Sequence, residues 1–459
     1  MKVVICGAGH VGFNIAQYLS EEYDVALVDH SAKTLQEVSE HMDVQTVQGD
    51  PTDPEVLKLA GLSQSSILIA VMPSDETNIV VCQIAHSLFK TQLKIAQVRQ
   101  NHYFKPEMEQ FLKPDHFPVD VLISPEAEIA ASIHQHLQVP YAFEVMTFAQ
   151  QSLQVLGLKI QSNSPVLHTP IERLEALFPH LSMYIFRILR DRVMLTVSMR
   201  DELILGDEVF ILTPMSQTHD VMAAFGYTEE ISRRLLIVGG GKIGLKLAKE
   251  IEQTSPNLSC SIIEQDKEQS QLLVSKLHKT LILQGDGLDT SLLQEASLES
   301  IDTVIAVTND DKTNILVSLL AKRYGAKRTI SLINRRGYIH LVQSLGVDKV
   351  LTPSNITISS ILQRVRRHYV HTIYSLGDHY GEIVESEVAL TCYASGMMIH
   401  ELNQYKDFEI LAVVRQQTVI FATPELTLHP QDRIVLVIGP DGFKKFKKFF
   451  EPRETEQYS

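Results

Sequence analysis

Residues 1–19 read MKVVICGAGHVGFNIAQYL, and residues 235–248 read LLIVGGGKIGLKLA. Each places a Val/Ile-rich run before a glycine hexamer and a 3.6-residue apolar period after it. That is the pattern of a strand, a tight turn and an amphipathic helix. In the first stretch Gly7, Ala8, Gly9, His10, Val11 and Gly12 fit GxGxxG, and the helix after Gly9 would bury Ile15, Ala16 and Leu19. Gly7 permits the turn, Gly9 lets backbone approach a pyrophosphate, and Gly12 lets the helix pack close to the strand. The helix N-terminus then offers N–H groups and a positive dipole end to phosphates. Asp29 ends the second strand, where a carboxylate can accept from both hydroxyls of an adenosine ribose. No arginine follows it closely, which favours NAD or ADP/ATP over a 2′-phosphorylated dinucleotide.

The second stretch repeats the design with changed chemistry. Its turn is Gly239, Gly240, Gly241, Lys242, Ile243 and Gly244, and Glu264 ends the following strand. Glutamate has a longer arm than aspartate, and Lys242 adds a positive charge beside the phosphate position. A half that keeps the fold with a weak ligand, or none, is the alternative there.

The similarity extends beyond the turns. VQTVQGDPTDPEVLKLAGL faces TLILQGDGLDTSLLQEASL, ILIAVMPSDETNIVVCQIA faces TVIAVTNDDKTNILVSLLA, and AQVRQNHY faces SLINRRGY, in one order. Landmarks in constant order mark an internal duplication. Short apolar runs alternate with helical periods in each half, as in a parallel sheet buried on both faces. After Pro125 and Pro353 the pattern changes to a helix (126–138 and 356–370) and then a β-rich stretch. The expected fold class is α/β: two tandem repeats, each a Rossmann-like doubly wound parallel sheet followed by a small α+β lobe. The boundaries read as 1–125 and 229–354 for the sheets, and 126–228 and 355–453 for the crossover helices and lobes, with 226–233 as the join.

Other residues near the sheet edge carry open alternatives. Asp50 and Asp286 follow the third strands and would meet an adenine amine or close Asx turns. Asp75–Asn78 and Asp311–Asn314 read as helix N-caps. Met72 and Pro73 would wall the cleft, where the second half has Thr308 and Asn309. Arg99 ends the fifth strand and would pair with a pyrophosphate or stand solvated.

Bulk properties exclude several classes. The net charge is −14, from 41 basic and 55 acidic residues, against the basic footprint of a general nucleic-acid binder. No apolar run reaches the roughly 18 residues of a membrane span. Cys6, Cys82, Cys260 and Cys392 are widely spaced and read as buried thiols, not as a disulfide or metal framework. GFKKFKKFF (442–450) reads as a terminal helix packing its phenylalanines on its own lobe, in preference to an amphipathic membrane helix. His134, His136, His368 and His371 read as surface residues of the crossover segments.

The duplicated order of GxGxxG, acidic strand end, GD, the DETN-like helix start and a small β-rich domain resembles the RCK/KTN regulators of potassium transport. The likeness covers nearly the whole chain. It implies Rossmann lobes that bind NAD(H) or ATP/ADP and small lobes for ligand binding or dimerisation. It also implies a homo-oligomer (dimer or tetramer) at the cytoplasmic face of a membrane-embedded potassium transporter, and no catalytic residues. By the same resemblance Gly7–Gly12, Asp29, Asp50, Met72, Pro73 and Arg99 form the first site. Gly239, Gly241, Lys242, Ile243, Gly244, Glu264 and Asp286 form the second. The competing expectation is an NAD-dependent oxidoreductase, which needs an acid/base near the nicotinamide and a substrate domain.

Overall fold

The structure is a computed structural model. It describes the chain apart from residues 21, 110–115, 140, 192, 229–232, 256, 297, 366–369, 377–379, 406, 440–441 and 452–459. His368 and much of the expected join therefore lie outside the described residues.

The first sheet comprises β1 (Lys2–Cys6), β2 (Asp24–Asp29), β3 (Gln45–Gln48), β4 (Ile67–Ala70), β5 (Leu93–Gln97) and β6 (Val121–Ile123). Its order is β3-β2-β1-β4-β5-β6, all parallel. The chain leaves β1 for one edge and returns to its other side through β4, so the carboxyl ends of β1 and β4 frame a crevice. Alternation along β1 explains its unbroken apolar run. Val3 and Ile5 join one core, Val4 and Cys6 the other, and all four are fully buried. The helix His10–Leu19 buries Ile15, Ala16 and Leu19, as its period predicts.

A small antiparallel sheet follows: β7 (Glu144–Phe148), β8 (Leu153–Lys159), β9 (Tyr184–Arg190), β10 (Val193–Thr196) and β11 (Glu208–Pro214), in the order β10-β9-β11-β8-β7. The second half repeats both sheets. Its parallel sheet comprises β12 (Arg234–Val238), β13 (Ser259–Glu264), β14 (Leu281–Gln284), β15 (Thr303–Ala306), β16 (Arg328–Leu332) and β17 (Lys349–Leu351), in the order β14-β13-β12-β15-β16-β17. Its lobe comprises β18 (Thr372–Ser375), β19 (Glu382–Glu387), β20 (Phe408–Arg415), β21 (Thr418–Phe421) and β22 (Arg433–Ile438), in the order β18-β19-β22-β20-β21. Read from the opposite edge, that is the order of the first lobe.

The halves are not packed side by side as closed units. The crossover helix Pro125–Gln138 sends Ile129, Ala130, Ile133 and Leu137 into the core of the second parallel sheet. The crossover helix Pro353–Val365 sends Ile358, Ile361, Leu362 and Val365 into the core of the first. The two lobes share a further core, with Phe148, Phe186 and Phe210 against Leu411, Val414 and Val435. Arg187 crosses between the lobes to Glu409 at 2.6 Å, and the Ala149 N–H donates to Glu385 at 3.0 Å.

The C-terminal helix Phe443–Phe450 buries Phe443, Phe446, Phe449 and Phe450, as read from the sequence, and Phe446 stacks on Phe450 at 5.0 Å. All four cysteines are buried and unbridged. Burial also corrects the expectation of surface histidines: the His134 side chain is only 16% exposed and meets Glu250, Thr254 and Ser255 of the second half. His136 is 3% exposed, because the helix face that carries it is covered by the second half. Among the described residues no helix is long and apolar enough to cross a membrane.

Candidate functional site

The glycines of each turn have separable causes. Gly7 and Gly239 have φ of 107° and 108°, a region that side chains rarely adopt. A Cβ on Gly12 would lie 1.8 Å from the Gly7 carbonyl oxygen, and one on Gly244 would lie 2.1 Å from that of Gly239. These four positions are glycine because the chain folds upon itself there. Gly9 and Gly241 differ. Both have φ of −62°, open to any residue, and a Cβ on either would meet nothing within 4 Å. What their glycines leave is empty space directly above a helix N-terminus.

Those N-termini are also left without a side-chain cap. Neither His10–Leu19 nor Lys242–Thr254 has a cap hydrogen bond from a side chain or an acidic residue in its first turn. The next three helices of the first sheet are capped by Ser31, Asp53 and Ser74, and their counterparts by Asp266, Asp289 and Asp310. An unneutralised dipole end with open space above it suits an anion. Val11 and Ile243 pack into the cores beneath, so only their backbone can serve a ligand.

The acidic strand ends hold the turns. Asp29 accepts from the Ala8 N–H at 2.7 Å and from the Ser31 N–H at 2.8 Å. Glu264 accepts from Gly240 at 2.7 Å and from Asp266 at 2.8 Å. Each carboxylate keeps lone pairs for further donors. The longer Glu264 is matched by a smaller turn residue: a Cβ on Gly240 would meet Glu264 Oε2 at 3.1 Å and Leu273 Cδ1 at 2.3 Å. Asp50 and Asp286 close Asx turns, accepting from Thr52 and Leu288 at 2.8 and 2.9 Å. The Thr52 hydrogen bonds hold the Asp50 carboxyl below the usual range.

The segments after β4 and β15 depart from the expected capping. Ser74 and Asp310 are the caps. Asp75 instead accepts from the N–H groups of Arg99 and Gln100, and Asp311 from those of Asn334 and Arg335. Asn78, fully buried, accepts from Met72 N–H at 2.9 Å and donates to the carbonyls of Met72 at 3.0 Å and Gln97 at 2.8 Å. Asn314 does the same with Thr308 and Leu332. These residues stitch the ends of adjacent strands together at the crevice. Their retention as D-x-T-N in both halves was the available signal; capping was too local an explanation for it.

Met72 is buried, with its Cγ 3.2 Å from where a Gly7 Cβ would stand, and it supports the turn from below. Pro73 is exposed. Arg99 is exposed, and its carbonyl accepts from Lys242 Nζ at 3.4 Å. Lys242 therefore reaches toward the first half's sheet edge. The second turn opens on a cavity of about 470 Å³ lined by Gly239, Gly241, Glu264 and Asp286 with Thr308 and Asn309. Its size lies within the range of small-molecule sites, about 300–1,000 Å³. Among the described residues no cluster of His, Cys, Asp and Glu could hold a metal ion.

The TrkA-N domain model matches residues 3–125 and again 235–353, and the TrkA-C domain model matches 383–451. The chain belongs to the TrkA family. Curated TrkA relatives are Trk system potassium uptake proteins. One from Azorhizobium caulinodans is 38% identical, over 98% of this chain and 98% of that one. Another from Vibrio alginolyticus is 33% identical, over 95% and 96%. The chain also resembles the solved RCK domain of GsuK (TM-score 0.58, 16% identity, 97% of this chain and 94% of that one). A similar fold is found in the GsuK channel bound to NAD (TM-score 0.59, 17% identity, 98% of this chain and 78% of that one). The tandem Rossmann-like architecture is thus the RCK fold. The relatives' names describe potassium uptake and lend the oxidoreductase reading no support.

Proposed function

We propose that this chain is the nucleotide-responsive regulatory subunit of a Trk-type potassium uptake system. It would bind NAD(H), and ATP/ADP at the same kind of cleft. It would assemble as a homo-oligomer, dimer or tetramer, against a membrane-embedded potassium transporter at the cytoplasmic face. The observation that carries the reading is the open glycine above an uncapped helix, found twice. Gly9, with the N–H groups of His10, Val11 and Gly12, would hold the pyrophosphate, and Asp29 the ribose. Gly241, Lys242, Ile243 and Gly244, with Glu264, would do so in the second half. Asp50 and Asp286 fix the loops beside the adenine end, and Arg99 stands at the phosphate edge.

Binding regulates only if the ligand prefers one arrangement of the lobes. The crossed packing gives it purchase. A displacement of the first sheet carries the helix Pro353–Val365, and with it the second lobe. The bound nucleotide supplies charge and shape, and no chemical step is needed.

The test is Gly9→Val with Gly241→Val. At both sites an added Cβ would meet nothing within 4 Å, and the backbone conformation is one that any residue adopts. Calorimetric titration with NADH and ATP should show at least a ten-fold loss of affinity, with thermal unfolding unchanged. Potassium flux through the partnered transporter should lose its response to nucleotide. Unchanged affinity in a folded variant would overturn the assignment.

A further inference from the structure

Each glycine turn opens a helix that lies against the crossover helix of the other half. His10–Leu19 lies beside Pro353–Val365, and Lys242–Thr254 lies beside Pro125–Gln138. The second of these junctions carries a polar cluster. The His134 Nδ1 lies 3.4 Å from Glu250 Oε1. Its Nε2 lies 3.1 Å from the Thr254 hydroxyl and 3.2 Å from that of Ser255. Gln138 Nε2 donates to Ser255 Oγ at 3.4 Å. Glu250, Thr254 and Ser255 all stand at the C-terminal end of the helix that begins at Gly241. That helix has 13 residues and spans about 20 Å. Its first turn is the phosphate position, and its last turn is held by His134.

The internal repeat shows that the fold does not require this cluster. Aligning Pro125 with Pro353 places His134 at the position of Leu362, whose side chain has no polar atom. Leu362 packs into the core of the first half, as a leucine at that face should. Directional contacts differ from apolar ones in what they transmit. Packed helices slide past each other over apolar contacts, whereas hydrogen bonds weaken steeply as their geometry drifts. A shift of Lys242–Thr254 is therefore passed to Pro125–Gln138. That helix leads to β7, the edge strand of the first lobe.

We propose that His134 is a positioning residue that makes the second cleft act on the first lobe. A nucleotide seated on Gly241–Gly244 shifts the helix below it, and the His134 contacts carry the shift to β7. The inference rests on the nucleotide-binding role proposed above.

The experiment is hydrogen exchange by mass spectrometry on the full chain carrying Gly9→Val, with NADH as the ligand, so that the second cleft alone is filled. NADH should change exchange more in β7 and β8 than in β18 and β19. His134→Leu, which installs the residue used by the other half, should remove most of that change. His134→Gln, which still donates and accepts, should keep it. In both variants the ligand-free exchange of β12 and β13 should stay as it was, and NADH affinity by calorimetry should move by less than about five-fold, the low end of ordinary coupling. In the full chain carrying Gly241→Val, the response to NADH should be indifferent to His134→Leu. A β7 and β8 response that survives His134→Leu overturns the inference, as does a larger response in β18 and β19, or none with NADH bound. Loosened ligand-free exchange in His134→Leu also overturns it, since the histidine would then be structural alone. So does a Gly9→Val chain that cannot bind NADH when the unaltered chain can. Failure of the unaltered chain to bind NADH overturns the nucleotide role itself, and the inference falls with it.

Discussion

Gly9 and Gly12 stand three positions apart and answer to different constraints. Gly12→Ala would drive a methyl group into the Gly7 carbonyl, and backbone must move to relieve it. We expect a loss of about 3 kcal/mol or more in denaturant unfolding, as for other overpacked backbone contacts. Gly9→Ala should leave stability within about 0.5 kcal/mol and weaken nucleotide binding. A mutant pair with equal stability loss would show that the space above Gly9 is structural. Asn78 is the other decisive residue at this scale. Its replacement by Leu would leave Met72 N–H and two carbonyls without partners in a dry interior. An expected cost of about 3 kcal/mol follows from the price of unsatisfied buried groups. The roles of Gly7 and Gly12 were legible in the sequence, because steric demands at a tight turn are local. The stitching role of Asp75 and Asn78 was not, because the partners that reveal it lie 19 to 25 residues away, at the end of β5 and just beyond it.

At the scale of elements, the crossover helices tie each parallel sheet to the opposite half. Ile133→Ala and Ile361→Ala should each cost about 2–5 kcal/mol, the range for truncating a fully buried isoleucine. The location of the loss is the sharper expectation. In native-state hydrogen exchange, Ile133→Ala should loosen β12 and β13, and Ile361→Ala should loosen β1 and β2. The reverse pattern would mean that each helix serves its own half in solution. Strand and helix positions could be read from periodicity and turns, since both are encoded in short windows. The destination of the crossover helices could not. Their apolar stripes state that a surface must be covered, without stating which of two nearly identical sheets covers it. The misreading of His136 has the same origin: its helix face looks solvated until the second half is laid against it.

For the whole molecule, that same histidine sets an acid limit. Burial, reinforced by the charge of Lys349, pushes His136 down to about 4. An unfolded chain takes up this proton near pH 6.5, whereas the folded chain resists it until about pH 4. The folded state thus binds fewer protons through that window, and stability must fall as pH falls from about 6.5 to about 4, by up to about 3 kcal/mol. His136→Gln should flatten the slope of unfolding free energy against pH between those limits. An identical slope in the variant would assign the acid sensitivity to other groups.

The exchange of helices also bears on ancestry. A polypeptide in which each sheet is roofed by the other repeat has the interior of a two-chain assembly. An unfused half of this length would need a second copy of itself to be covered in the same way. In such a pair every substitution appears on both sides of the symmetry axis at once. Joining the copies end to end freed each from its twin. Only then could the second strand end in Asp29 in one half and Glu264 in the other, and the turn carry Ala8 in one and Gly240 in the other.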